Sequence, residues 1–289
     1  MPAEQNKTEC TIPCNLCGSI SVEVLSFKDR NGDYLRTIIC KKCGLIWCDP
    51  RPPEDQIKEF YSKEYRKEYK GITRPKKKHV YRDAKRSIKR YIFFKEILKW
   101  DDNVLDIGAG NGVFVYCLNK LGINARGIGP DENHSRYARE ILNAPVTTGF
   151  AQEIQDKESF DIVTLHHVLE HMTDPLGELK NIWSILKENG YLIVEAPNAE
   201  DIKQSPGNRY HKAHIYTFNP MTLVALGEKA GFKVFKKTID PFNGNISVIF
   251  QKKDDRKHCS IIHENNYIRI KETLEHYTKF RHFASLTPY

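Results

Sequence analysis

The stretch VLDIGAGNG at positions 104–112 constrains the possible folds more than any other part of the chain. An apolar run typical of a buried strand ends in an acid, three glycines follow at alternate positions, and an apolar-rich segment can then begin a helix. Glycine permits positive φ angles and lets a ligand approach the backbone, while the start of the helix offers unpaired N–H groups. The stretch therefore predicts a ligand-binding turn between a strand and a helix, although a purely structural turn or another nucleotide site fits the same pattern. Its residues are Asp106, Gly108, Gly110 and Gly112.

Length and composition indicate a protein with a sizeable core and about two domains. The chain has 289 residues, of which 40% are hydrophobic and 28% are charged. The first nine residues are polar, and no apolar run approaches the roughly eighteen residues that a membrane-spanning helix needs. These features predict a cytoplasmic protein without a transmembrane segment. Eight cysteines in such a chain favour metal ligands or free thiols over a disulfide framework.

Four of the cysteines form two Cys-x-x-Cys-Gly units, separated by 22 residues that include β-favouring segments. Each unit can turn two thiolates toward one point. Four converging thiolates form a closed tetrahedral site, so the pattern predicts a structural zinc ion, with iron as the alternative. The resulting zinc-ribbon-like domain of about 50 residues has a small core, and its metal would therefore stabilise it. The predicted ligands are Cys14, Cys17, Cys40 and Cys43.

A proline-rich linker, DPRPP at positions 49–53, separates this module from a helical region that is strongly basic. Aromatic residues spaced three or four apart between positions 60 and 69 predict one helix, and a second is predicted over about 77–100. The net charge is +8, and segment 66–90 alone contributes +10. The second helix either covers the sheet edge with a solvated face or roofs a ligand cleft and meets phosphate groups. Its predicted core face comprises Val80, Ala84, Ile88, Tyr91, Phe94 and Leu98, and its basic face Lys76, Lys77, Lys78, Arg82 and Arg86.

The next part of the chain alternates short β-favouring runs with helical segments. Five strands that alternate with helices predict a parallel sheet with helices on both faces. Further along, the β-runs 232–238 and 246–251 are separated by only a short loop. Because a parallel crossover needs a dozen or more residues, these two runs must form an antiparallel hairpin. The predicted division of the chain is 1–50, 51–100, 101–253 and 254–289.

The fourth strand leads into HHVLEH at positions 166–171, and a helix-starting Asp-Pro pair follows at 174–175. Together with the D-x-G-x-G-x-G turn and the closing hairpin, this segment resembles the class I S-adenosylmethionine-dependent methyltransferases. The resemblance implies an α/β fold with a Rossmann-like seven-stranded methyltransferase sheet whose last strand is antiparallel, preceded by a small N-terminal zinc ribbon. It also implies S-adenosylmethionine as the cofactor. Asp106 would face the methionine end above the glycines, and His167 would lie beside the transferred methyl group.

Two further cofactor contacts depart from the pattern of that family. Gly129 occupies the place where the family has a ribose-binding acid, and Asp131 either replaces that acid or caps the next helix. Phe150 stands where the family has an acid that faces the adenine. Stacking on Phe150 and the backbone N–H of Ala151 could hold the base, and a core position for Phe150 is the alternative.

A polar insert at positions 198–218 lies at the expected ligand-binding edge of the sheet. Its segment HKAHIYTF resembles the catalytic segment, Y-x-E-H, of zinc-bearing deoxysugar C-methyltransferases, which likewise begin with a four-cysteine module. The resemblance implies His214 as the base, with His211 or His167 as an assistant. Ala213 replaces the glutamate of that segment, which favours an O- or N-acceptor over a carbon acceptor.

The predicted function is methyl transfer from S-adenosylmethionine to a small or carbohydrate-type acceptor, such as a nucleotide- or lipid-linked sugar of polysaccharide biosynthesis. The loop NGN at 243–245 is expected to line the acceptor pocket. A nucleic-acid methyltransferase, which the basic run would serve, is one alternative, disfavoured because no Asn/Asp-Pro-Pro-aromatic motif is present. A non-catalytic module that retains the fold is the other. The last segment is expected to carry a helix over 265–282 and to serve as a packed tail, a dimer contact or a lid.

Overall fold

The computed structural model describes residues 10–59, 75–201, 205–253 and 265–277. The elements up to the basic helix are β1 Val22–Lys28, β2 Tyr34–Cys40, β3 Ile46–Cys48, α1 Glu54–Glu59 and α2 Lys77–Phe94. The elements that follow are β4 Asn103–Ile107, α3 Val113–Lys120, β5 Asn124–Gly129, α4 Glu132–Leu142, β6 Val146–Thr148, β7 Phe160–His166, α5 Pro175–Ile185, β8 Leu186–Ala196, β9 Tyr216–Thr217, α6 Pro220–Lys229, β10 Phe232–Ile239, β11 Ile246–Lys252 and α7 Asn265–His276.

Seven of the strands form a mixed sheet in the order β10-β11-β8-β7-β4-β5-β6. Strands β4 to β8 run parallel to one another, whereas β11 runs antiparallel to both β8 and β10. The reversal arises because the loop between β10 and β11 is too short to carry the chain back across the sheet. The predicted fold class, an α/β methyltransferase sheet with an antiparallel last strand, is therefore confirmed.

Helices cover both faces of this sheet because successive side chains along a strand point to opposite faces. One core contains Val104, Ile162 and Ile193 of the central strands, and the helical residues Phe94, Phe114 and Ala138 pack against them. The adjacent strand residues belong to the core on the other face, where α5 and α6 pack. That second core includes Leu105, Val163, Leu192, Leu179, Ile182 and Leu223.

A smaller sheet, in the order β1-β2-β3-β9, carries the four-cysteine module. Its last strand comes from the histidine-containing insert, and Trp47 of β3 is paired with Tyr216 of β9. Both side chains belong to the same core as the residues of α5 and α6. The side chain of Asn15, which lies within the first cysteine unit, is hydrogen-bonded to Asp174 at 2.7 Å. The insert and the cysteine module therefore share one sheet and one hydrophobic core. The predicted domain boundaries stay predictions.

The basic helix α2 differs from its sequence prediction in length and in orientation. It ends at Phe94 rather than near position 100, and Ile88, predicted to face the core, is 57% exposed. Ser87 is buried instead, and its hydroxyl donates to the carbonyl of Asp83 at 2.8 Å, which satisfies it inside the protein. A buried polar residue that bonds its own helix cannot be recognised from apolar spacing. The aromatic residues between positions 60 and 69 lie outside the described residues.

The C-terminal helix α7 packs on the cysteine module. The amide nitrogen of Asn266 donates to the carbonyl of Cys43 at 2.8 Å, and Ile270 is buried against Ile39 and Ile46. The predicted end of this helix, at position 282, lies outside the described residues. None of the helices in the described ranges combines the length and the apolar character that a bilayer crossing requires.

Candidate functional site

The glycine turn lies where β4 ends, at the carboxyl edge of the seven-stranded sheet. Gly108, Gly110 and Gly112 have φ angles of +76°, +57° and +72°, which favour glycine over any L-residue. A Cβ added to Gly108 would lie 2.3 Å from Cγ2 of Val168, so space as well as backbone geometry requires glycine there. The turn therefore lies directly against the segment that follows β7.

Asp106 is buried beside this turn, with an exposed fraction of 4%. One of its carboxylate oxygens accepts a hydrogen bond from the hydroxyl of Thr164, on the neighbouring strand β7, at 2.7 Å. Burial raises the pKa of Asp106 to about 6, although the Thr164 hydroxyl and the charge of Arg90 oppose that shift. A buried carboxylate with one hydrogen bond from its neighbours fits a cationic ligand group at the same edge.

The ribose and adenine sides of the predicted cofactor site lie at the ends of β5 and β6. A Cβ added to Gly129 would be 3.6 Å from the backbone nitrogen of Gly110, so the end of β5 faces the glycine turn. Asp131 caps α4 by accepting from the backbone N–H of His134 at 3.1 Å, and the ribose contact stays a prediction for it. Phe150 is half-buried with the ammonium of Lys58 5.6 Å from its ring centroid.

Ala151 is buried and begins the 3₁₀ turn Ala151–Glu153, directly after Phe150. The proposed base-binding N–H therefore lies at the start of a short helical turn. Its contact with an adenine stays a prediction. Together, the glycine turn, the buried Asp106 and the open end of β5 fit S-adenosylmethionine, and these residues are the ones that would hold it.

His167 follows β7 in a left-handed backbone conformation, with φ +57°. Its Nε2 lies 2.9 Å from Oε1 of Glu195, and its Nδ1 lies 3.3 Å from Oε1 of Glu170. Burial by itself lowers the pKa of His167, but the two carboxylates outweigh it and raise that pKa to about 9. A protonated imidazole has no free lone pair, so His167 is placed to carry charge rather than to accept a proton.

Glu195 connects His167 to the basic helix. Both of its oxygens accept from the guanidinium of Arg90, at 3.1 and 3.2 Å, which is a bidentate pair. Burial raises the pKa of Glu195, but His167 and Arg90 outweigh burial and hold that pKa well below its usual range. The amide nitrogen of Asn245 lies 3.0 Å from Nε2 of His167, so the closing hairpin loop reaches this network.

Three histidines meet beside this network. The ring centroid of His214 lies 3.8 Å from that of His211 and 4.8 Å from that of His171. The ring of His171 donates from Nδ1 to the carbonyl of Ala213 at 2.6 Å. Burial, followed by the charge of Arg30, lowers the pKa of His211 to about 4, and burial lowers that of His214 well below its usual value. The imidazole rings of His211 and His214 are therefore neutral near pH 7.

The basic helix is anchored over this edge at two points. The amide of Asn111, within the glycine turn, donates to Asp83 at 2.9 Å, and Arg90 is paired with Glu195. The predicted phosphate contacts of Lys76, Lys77, Lys78, Arg82 and Arg86 stay predictions.

The local sequence does not predict roles for Glu170, Glu195 or Arg90. Arg90 and Glu195 are 105 positions apart, and only the packing of α2 against the sheet brings them together. Glu170 stands within the quoted VLEH segment, but its position between two histidines depends on the 3₁₀ turn Leu169–His171.

The four predicted metal ligands come together in the cysteine module. The Sγ atoms of Cys14 and Cys43 are 3.5 Å apart, and those of Cys17 and Cys40 are 3.4 Å apart. All four sulfur atoms lie within 4.8 Å of one another. A tetrahedral zinc–thiolate centre has sulfur atoms about 3.8 Å apart, so the set fits a structural zinc ion.

The comparisons with known proteins agree with this geometry. A family model described as a methyltransferase domain matches residues 77–237, which is more than half of the chain. A ubiquinone biosynthesis O-methyltransferase of Bradyrhizobium diazoefficiens is 33% identical over 102 residues, which are 33% of this chain and 40% of that protein. Its counterpart from Coxiella burnetii is 30% identical over 126 residues, 40% of this chain and 47% of that protein. The chain thus spans less than half the length of these curated relatives.

Two solved structures have the same fold. The PH0226 protein of Pyrococcus horikoshii OT3 superposes with a TM-score of 0.53 and 18% identity, over 66% of this chain and 99% of that chain. A SAM-dependent methyltransferase of Archaeoglobus fulgidus superposes with a TM-score of 0.50 and 19% identity, over 65% and 98%. The extent of the family match, on a sheet with this strand order, shows that the chain belongs to the family of class I S-adenosylmethionine-dependent methyltransferase domains.

Proposed function

We propose that this protein transfers the methyl group of S-adenosylmethionine to a hydroxyl group of a small-molecule acceptor. The observation that carries the proposal is the contact between the glycine turn and the segment after β7, where Gly108 packs on Val168. Val168 stands between His167 and the turn Leu169–His171, so this contact supports a cofactor site near the histidines. In the reaction, the bond between the sulfonium and the methyl group breaks, the new O–CH₃ bond forms, and the acceptor loses its hydroxyl proton.

His214 is the residue on which we propose that this proton loss depends. It is neutral near pH 7, and it stands between His171 and His211 at the centre of the histidine cluster. His211, next to it, is the proposed assistant. His167 is proposed to contribute positive charge beside the cofactor, because its pKa is raised to about 9.

An oxygen acceptor is favoured by two observations. Ala213 stands in place of the glutamate of the C-methyltransferase segment, and its carbonyl is used to orient His171. The curated relatives named above are O-methyltransferases.

The narrower proposal is a carbohydrate-type acceptor, such as a nucleotide- or lipid-linked sugar. A cavity of about 600 Å³ lies between β1, the segment before His211 and α7, on the module side of the insert rather than at the glycine turn. Its lining is of mixed charge, with the basic residues Arg30 and Arg209 beside the acidic residues Glu23, Asp29 and Glu275. The resemblance of the cysteine module and of the histidine segment to those of sugar methyltransferases supports this acceptor.

Incubation with methyl-deuterated S-adenosylmethionine and a metabolite extract, followed by mass spectrometry, tests the reaction and identifies the acceptor. His214→Ala is expected to reduce labelled product by about 100-fold or more, the usual effect of losing a proton-transfer group. His276→Ala changes an exposed histidine on α7 and serves as the matched control. Equal labelling by wild type and His214→Ala would remove His214 from the reaction.

A further inference from the structure

A second group of metal-ligand side chains lies inside the histidine cluster. Within the described part of the chain, two groups have ligand atoms that all lie within 4.8 Å of one another. One is the four-cysteine set, and the other consists of Glu170, His171 and His214. The two groups have different chemistry, since the second offers one carboxylate and two imidazoles.

Glu170 is the most unusual member of this group. Its exposed fraction is 0%, and neither of its carboxylate oxygens has a hydrogen-bond partner among the described residues. Nδ1 of His167 is an ion-pair neighbour at 3.3 Å, but the geometry is not that of a hydrogen bond. The imidazolium of His167 balances part of the charge of Glu170, but both carboxylate oxygens are buried without a hydrogen bond of proper geometry. Their lone pairs therefore remain available to a further cation.

The orientation of His171 is that of a metal ligand. Its Nδ1 donates to the carbonyl of Ala213 at 2.6 Å, which leaves the lone pair on Nε2. Nε2 lies 3.9 Å from Oε1 of Glu170, close enough for one cation to contact both. Histidines that bind metals usually donate their other ring N–H to a carbonyl or a carboxylate, which fixes the ring in this way.

We propose that Glu170, His171 and His214 bind a divalent cation of the zinc class at the acceptor side of the site. Two imidazoles and one carboxylate form a ligand set that leaves a coordination position open, in contrast to the closed four-cysteine site.

This inference rests on the proposed function and deepens it. The open position would take the acceptor hydroxyl, and the cation would promote release of its proton to water as the methyl group leaves the sulfonium. His214 then acts by holding the cation. The proposed metal site thus restricts the acceptor to molecules whose hydroxyl group can coordinate a metal ion.

Metal analysis of the 289-residue chain after equilibration with zinc tests the site. Wild type and His276→Ala are expected to retain two zinc ions per chain, whereas Glu170→Gln and His214→Ala are expected to retain one. Cobalt substitution identifies the ion that is lost, because only the cysteine site gives sulfur-to-cobalt charge-transfer absorption. That absorption should be unchanged in both variants, and it also reports that the module has folded.

One zinc ion per chain in the wild type would overturn the inference, and Glu170 would then be only the counter-ion of His167. Two ions per chain in both Glu170→Gln and His214→Ala would overturn it as well. His214 is on the insert and partly exposed, so His214→Ala keeps the test available if Glu170→Gln does not fold. Zinc content is measured without turnover. Two ions without methyl transfer would contradict the proposed function alone, and one ion with methyl transfer would contradict the metal site alone.

Discussion

Individual residues of the site differ in protonation because burial and neighbouring charge act on them in different proportions. His211 is buried and His214 is half-buried, both lie near other histidines, and desolvation lowers the pKa of each. The side chain of His167 is 35% exposed, and burial lowers its pKa as well, but the carboxylates of Glu170 and Glu195 outweigh burial and raise that pKa. The site therefore presents neutral imidazoles, which can take up a proton or bind a cation, next to an imidazolium whose charge is balanced by Glu170 and Glu195.

The pH dependence of stability tests whether Asp106 is buried. Burial raises the pKa of Asp106 from 3.8 to about 6, so the folded protein holds this proton more tightly than the unfolded chain does. The proton's contribution to the free energy of unfolding is therefore complete below pH 3.8 and is lost as pH rises through 6. Relative to Asp106→Asn, the free energy of unfolding of wild type is expected to fall by about 1 to 2 kcal/mol from about pH 5 to about pH 8. Urea denaturation of both proteins across that range measures the difference. A difference that does not change with pH would contradict the assigned pKa.

Among the elements, the glycine turn depends most strongly on residue size. Gly108→Ala is expected to destabilise the protein by about 1 to 3 kcal/mol more than Gly32→Ala does. Both positions have positive φ, at +76° and +89°, but a Cβ at Gly32 meets nothing within 4 Å, whereas one at Gly108 meets Val168. Thermal or urea unfolding of the two variants measures the difference.

Comparing Gly108→Ala with Gly32→Ala separates steric overlap from backbone strain. Adding Val168→Ala to Gly108→Ala is expected to recover part of the lost stability, because it removes the Cγ atoms that the new Cβ would meet. Equal destabilisation by Gly108→Ala and Gly32→Ala would show that Val168 does not pack on the turn.

The sheet and its helices could be predicted from the sequence because their signals are local. The apolar run before Asp106 predicted β4, the Asp-Pro pair at 174–175 predicted the start of α5, and a short loop dictated the closing hairpin. The orientation of α2 was predicted wrongly at Ile88. Its rotation depends on the Asp83–Asn111 and Arg90–Glu195 contacts, which join residues far apart in the sequence.

The candidate site was predicted in part. The histidines of the insert and the four cysteines were recognised from their types and spacing. The carboxylates that set their chemistry were not, because Glu195 ends an apolar strand and Glu170 belongs to a turn motif. Nothing in their local sequence distinguishes them from solvent-exposed acids, and only the packed structure shows their burial.

The whole molecule joins its cysteine module to the methyltransferase sheet through the insert. Strand β9 completes the small sheet, and His211 and His214 lie just before it in the chain. Asn15 of the module bonds to Asp174 and to the backbone N–H of Leu176 at the start of α5. The predicted zinc ion would therefore stabilise the acceptor side of the site as well as the module.

Calorimetric titration of S-adenosylhomocysteine, the product form of the cofactor, into the wild-type protein tests the central claim most directly. Binding at one molecule per chain is predicted for wild type and, with similar affinity, for His214→Ala. Gly108→Ala is predicted to bind at least about tenfold more weakly, which corresponds to about 1.4 kcal/mol. Wild-type protein that is folded and yet does not bind would contradict the account, and the chain would then be a non-catalytic module that retains the methyltransferase fold.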